Sequence, residues 1–138
     1  MRFIPSRMRQ LVVRRAGNRC EYCWLPQEGQ EATFHVDHVI PVVAGGMATA
    51  DNLALACVSC SLHKWARQVA VDPESGHDVL LYNPRREDWH EHFAWEGGRI
   101  AGLTPTGRAT VLALRMNRPS IVAVREQLIL LGLLPRSR

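Results

Sequence analysis

The chain has 138 residues, 46% of them apolar, and 17 basic against 13 acidic residues give a net charge of +4. That length fits a single domain with one buried core. The composition excludes a collagen-like or largely disordered chain, and the uncharged runs, 39–50 and 127–135 among them, fall short of the roughly 20 residues a membrane span needs. Sixteen of the basic residues are Arg and Lys64 is the sole Lys. The excess fits a polyanionic partner, and equally a codon bias toward Arg. Arg2, Arg7 and Arg9 interrupt the first ten residues, so no secretory leader is visible and a cytoplasmic location is expected.

In chain order, Ser6 stands as an N-cap before a helix in which Met8, Leu11, Val12 and Val13 alternate with Arg7, Arg9, Arg14 and Arg15, ending at Gly17-Asn18. Residues 33–39 have strand character, and Pro41 with Gly45-Gly46 opens a loop to about Asp51. A second short strand is expected at 52–56 and a helix at 61–70. After a turn at 72–76 comes a strand at 79–82, which Asn83-Pro84-Arg85-Arg86 breaks. Trp89, Phe93 and Trp95 then add aromatic mass, and Trp65, Trp89 and Trp95 are expected in the core. Thr104 as N-cap and Pro105 at the first helical position predict a helix to about Met116. Pro119 opens a last helix, with Ile121, Val122, Val124, Leu128, Ile129 and Leu131 as its apolar stripe.

Two Cys-x-x-Cys pairs, Cys20/Cys23 and Cys57/Cys60, stand 33 residues apart. Each pair offers two thiolates from one tight knuckle, and two knuckles complete a closed tetrahedral Zn²⁺ site, which braces a fold and does no chemistry. Disulfides do not suit a chain without an export signal, and a redox pair needs no second copy.

His35-Val36-Asp37-His38 lies between the knuckles. On a regular strand Asp37 and His38 point to opposite faces, so they share a site only where the strand bends or ends, as Pro41 allows. A carboxylate holding a divalent cation beside an imidazole that takes a proton from water is what phosphodiester hydrolysis requires. Alone, the pair is weak evidence and better fits a hydrogen-bonded core histidine with a capping carboxylate. Lys64 and Arg67 on one helix, with Arg85 and Arg86, are placed by charge and position to neutralise phosphates.

Taken together, the cysteine pairs, Asp37-His38-Val39-Ile40-Pro41, Gly45-Gly46, Asn52-Leu53 and Lys64 resemble the HNH endonuclease family, in particular its small members with a four-cysteine zinc site. The resemblance covers residues 20–64 and is softer over the tail. It implies a ββα-metal motif, with His38 as the general base, Asp37 as a ligand of the catalytic cation, and Asn52 tying the loop to the histidine strand. It also implies DNA as the substrate. The third letter of the family's motif, normally Asn or His, is Ser61 here. Ser61 or its water, His63 and His35, in that order, are the candidates for a further cation ligand.

The expected fold is α+β: a single domain over 1–138, with a zinc-braced ββα-metal core at 20–70 and a supporting extension at 71–138. The expected activity is metal-dependent hydrolysis of DNA. An oxygen-rich site favours Mg²⁺ or Mn²⁺, and added His ligation admits Ni²⁺, Co²⁺ or Zn²⁺. The alternatives are a catalytically weak or inactive zinc module that binds nucleic acid, which Ser61 favours, and a protein-interaction domain.

Overall fold

A computed structural model describes residues 3–134. Helix α1 (Ser6–Arg15) has Pro5 at its cap position, so Ser6 is the first helical residue rather than the N-cap. Val12 is its buried residue, and Gly17 and Asn18 turn the chain out of the helix at positive φ. Arg9 donates to the Phe34 carbonyl at 2.8 Å, and Arg15 to the Ala50 and Leu53 carbonyls at 2.8 and 2.7 Å. Part of the basic face thus braces the sheet behind it.

Strands β1 (His35–His38) and β2 (Leu53–Ala56) form an antiparallel pair in which His35 faces Ala56, Asp37 faces Ala54 and His38 faces Leu53. All four β2 residues are buried, as their unbroken apolar run requires. The loop between the strands holds two short 3₁₀ turns, at Val42–Ala44 and Ala50–Asn52.

Helix α2 (Val58–Lys64) starts and stops earlier than its sequence suggests. The Cys57 sulfur caps it by accepting the Cys60 N–H at 3.4 Å, a role for which a thiol gives no familiar signal. Trp65, at φ 47, ends it. Ala70, expected in that helix, lies in strand β3 (Val69–Val71), where β-branched neighbours pair with β4 (Asp78–Leu80).

The second half adds α3 (Trp89–His92), the hairpin β5 (Phe93–Glu96) with β6 (Arg99–Gly102), α4 (Pro105–Ala113) and α5 (Pro119–Leu130). Thr104 Oγ1 caps α4 by accepting the Gly107 N–H at 3.0 Å, with Pro105 at its start. Of the apolar stripe expected on α5, Ile121 is buried, Leu128 packs against the core and Val122 and Ile129 are half-buried, but Val124 and Leu131 are exposed, and the fully buried side chain in the middle of the helix is Arg125. Its guanidinium donates to the Gly98 and Met116 carbonyls at 2.8 and 2.6 Å and lies over the Trp95 ring.

Val12, the four cysteines, Leu53, Leu55, Tyr82, Trp89, Phe93, Leu114 and Met116 belong to one apolar cluster, so both halves share a core. Trp89 donates its indole N–H to the Tyr22 carbonyl at 2.8 Å, docking the second half on the first cysteine knuckle. Among the described residues no helix is long and apolar enough to cross a membrane. The architecture of the described residues is α+β, with three two-stranded antiparallel sheets among the helices.

Candidate active site and metal centre

The four cysteines are buried and unbridged, and their sulfurs all lie within 4.8 Å of one another. Cys23 and Cys57 Sγ are 3.7 Å apart, too far for a disulfide and close to the edge of about 3.8 Å for a tetrahedron with metal–sulfur bonds of about 2.3 Å. Hydrogen bonds from the Cys20, Cys23 and Cys60 thiols hold Cys57 far below the ordinary thiol range. Burial pushes Cys20 well above that range, and Cys60, hydrogen-bonded to the same cluster, is raised too. Four buried sulfurs this close together are positioned to hold one metal ion.

Glu21 joins this centre to its surroundings. Its N–H donates to the Leu55 carbonyl and its Oε2 accepts the Leu55 N–H, each at 2.8 Å, while Oε1 pairs with Arg85. Burial raises the Glu21 pKa, and the Leu55 N–H and Arg85 oppose the shift. Arg85, expected at phosphate, has a mostly buried guanidinium that braces the knuckle against the extension.

The geometry around His38 is set by Asn52. The β1–β2 ladder continues with the Val39 N–H on the Asn52 carbonyl at 2.9 Å. The Asn52 side chain then pairs with the next peptide: Oδ1 accepts the Ile40 N–H at 2.8 Å, and Nδ2 donates to the Ile40 and Met47 carbonyls, each at 3.0 Å. Asn52 is buried, so these bonds face little competition from water. Gly46 lets the loop close: a Cβ there would stand 1.7 Å from the Ile40 carbonyl oxygen and 2.8 Å from Asn52 Nδ2.

Asp37 is mostly buried, and its Oδ2 lies 3.0 Å from Lys64 Nζ, which also donates to the His38 carbonyl at 3.0 Å. Lys64 is 2% exposed. Its position in the last turn of α2 turns its ammonium inward onto β1. Burial raises the Asp37 pKa; Lys64, then His38 and His35, pull it back. His35 shares the Asp37 face of β1 by strand alternation, and its Nδ1 is 2.8 Å from Ser61 Oγ. His35 and Ser61 are thus brought together beside Asp37. His63 turns the other way, with Nδ1 2.8 Å from the Ser59 carbonyl, as its angle around the helix from Ser61 demands.

Arg67 and Arg86 are exposed, and with Val39, Ile40, Lys64 and Asn83 they line a groove of about 390 Å³ beside the end of β1. Trp89 is buried and Trp95 half-buried, but Trp65, expected in the core, is 79% exposed. One contributor carried no sequence signal: Glu21, a lone acid between two cysteines.

Residues 20–67 match the model of the HNH endonuclease family. The match opens on the first cysteine, closes on Arg67, and takes in Asp37, His38, Asn52 and Ser61. No curated protein and no solved structure matches the chain.

Proposed function

We propose that the HNH domain at residues 20–67 hydrolyses phosphodiester bonds in DNA with a divalent cation, and that Zn²⁺ on Cys20, Cys23, Cys57 and Cys60 holds its strands and helix together. His38 accepts the proton of the attacking water on its imidazole. Asn52 is a positioning residue: its amide fixes the peptides that follow His38 and so the direction of the ring. Asp37 holds the cation, with Ser61 and His35 as the neighbouring donors on its side of the strand. One carboxylate and a hydroxyl suit Mg²⁺ or Mn²⁺, which are commonly held by one or two carboxylates and completed by water and substrate phosphate. When bound, the cation supplies charge neutralisation on the phosphoryl oxygens. Arg67 and Arg86 line the groove through which the phosphate backbone approaches.

The observation that carries this reading is the buried Asn52 clamp on Ile40 and Met47, within the segment that matches the nuclease family. A binding module needs no such fixing of one histidine. The test is plasmid nicking in Mg²⁺ and Mn²⁺: His38→Ala lowers the rate at least about 100-fold, the range for a lost general base. An unchanged rate removes His38 from the role.

A second reading, a zinc-braced module that binds nucleic acid without cutting it, is favoured by the Lys64 ammonium on Asp37, which neutralises that carboxylate without a metal. Salt-sensitive DNA binding with no cleavage in any divalent metal decides for it.

A further inference from the structure

Trp65 has the backbone of a residue with no side chain. Its φ and ψ are 47° and −121°, and the Lys64 carbonyl accepts the Arg67 N–H at 2.9 Å. Residues 64–67 therefore form a tight turn of type II′ with Trp65 at its first central position, where glycine is strongly preferred. A Cβ-bearing residue there carries conformational strain, and a tryptophan adds the largest of all side chains. Burial does not offset this, because the side chain is 79% exposed. Leu62, one turn earlier on α2, is exposed as well. Neither turn preference nor packing accounts for the residue; both oppose it.

The turn is nevertheless held firmly in place. Lys64, immediately before it, is anchored on Asp37 and on the His38 carbonyl, and the Trp65 N–H closes the last helical bond on the Ser61 carbonyl at 2.9 Å. The backbone of Trp65 is thus fixed directly after the Lys64 anchor on β1, and its indole stands in solvent. Arg67, two residues on, is exposed and lines the groove with Arg86. An exposed aromatic ring two residues from an exposed Arg, next to a groove lined by basic side chains, offers the two elements by which proteins hold unpaired nucleotides, ring against base and cation against phosphate.

We propose that Trp65 is a stacking platform for an unpaired nucleobase, and that the site takes nucleic acid with a base free of its duplex neighbours: a single strand, a flap or an open end. The inference rests on the nuclease reading and names its substrate class. Inside a duplex both faces of each base are covered, and opening a step costs stacking energy, so an unpaired base is the partner a single exposed ring fits.

The test uses the full-length, metal-loaded protein with no added divalent cation, a labelled single-stranded 12-mer and a duplex closed by hairpins at both ends. The wild type binds the single strand, and its tryptophan emission falls on binding. Trp65→Gly suits the turn, so its melting temperature stays level or rises, while affinity for the single strand falls about 5- to 150-fold, the range for one lost base stack. Affinity for the closed duplex stays within about twofold, since phosphate contacts are kept. Trp65→Phe keeps a ring and binds within a few-fold of wild type without the emission change. Equal single-strand binding by Trp65→Gly, or quenching that persists in Trp65→Phe, overturns the proposal. So does self-association that Trp65→Gly abolishes, which assigns the ring to a protein contact. A wild type that nicks plasmid while Trp65→Gly binds normally sinks this inference alone; a wild type that binds no nucleic acid sinks the nuclease reading with it.

Discussion

Replacing Lys64 by Met keeps the length of the side chain and removes its ammonium, leaving Asp37 mostly buried with its nearest cation gone. Removing one partner of a buried ion pair costs about 3–5 kcal/mol, and the residual 13% exposure of the Asp37 side chain puts the expected loss near the lower end. Protonation of Asp37 sets a ceiling. Taking up a proton at pH 7 against an unfolded-state pKa of about 3.9 costs about 4 kcal/mol, and at pH 5 about 1.5 kcal/mol. The Asp37 pKa is already raised by burial, and loss of Lys64 raises it further. For a group raised on folding, the penalty is present at high pH and disappears as pH falls toward the unfolded value. Lys64→Met should therefore unfold about 3 kcal/mol more easily at pH 7, a drop of about 10 °C in Tm for a chain of this size, and by half that or less at pH 5. Urea titrations at both pH values measure it. A loss under about 1 kcal/mol at pH 7, or an equal loss at both, refutes the claim that Lys64 neutralises a buried carboxylate.

Chelation at neutral pH should release one Zn²⁺ per chain, measured by elemental analysis, with loss of the cooperative thermal transition, because four buried sulfurs cannot stay together without a cation. Gly46→Ala should lower stability by roughly 2 kcal/mol or more and depress any cleavage, since its Cβ lands on the Ile40 carbonyl; normal melting and nicking would show that the loop closes differently. Asn52→Ala removes three side-chain bonds to backbone and should cost about 2–3 kcal/mol and lower kcat more than KM, as judged by melting and nicking kinetics. The Arg108 guanidinium, on both oxygens of buried Asp72, holds that carboxyl below the usual range. Its stabilisation is present above the unfolded carboxylate pKa of about 3.9 and is lost as pH falls through the lower folded value, so Asp72→Asn should flatten the acid limb of a stability–pH curve.

Local rules made much of this molecule legible. The paired Cys-x-x-Cys knuckles, the strand carrying Asp37 and His38, and the Thr104-Pro105 start of α4 each rest on chemistry confined to a few neighbouring residues. Residues 89–95 read only as aromatic mass, although Trp95–Ile100 and Glu96–Arg99 pair across Gly97-Gly98 in a hairpin. Helix α5 misled because periodicity ranks Leu above Arg, whereas carbonyls from elsewhere in the fold give Arg125 a buried seat. At the site, charge alone put Lys64 and Arg85 on phosphate, and only the tertiary structure reveals the acids that each one meets. Trp65 was misjudged for a related reason, since apolar residues are assigned inward unless a specific backbone holds them out.

The central claim is that Asp37 takes up a divalent cation next to His38. Crystals of the zinc-loaded His38→Ala protein with Mn²⁺ and a short single-stranded oligonucleotide test it through the anomalous signal of manganese. The account predicts a peak about 2.1–2.2 Å from an Asp37 oxygen, apart from the four-sulfur centre, with a phosphate oxygen completing it. Bound oligonucleotide with no peak at Asp37, and Lys64 still seated on its carboxylate, would contradict it.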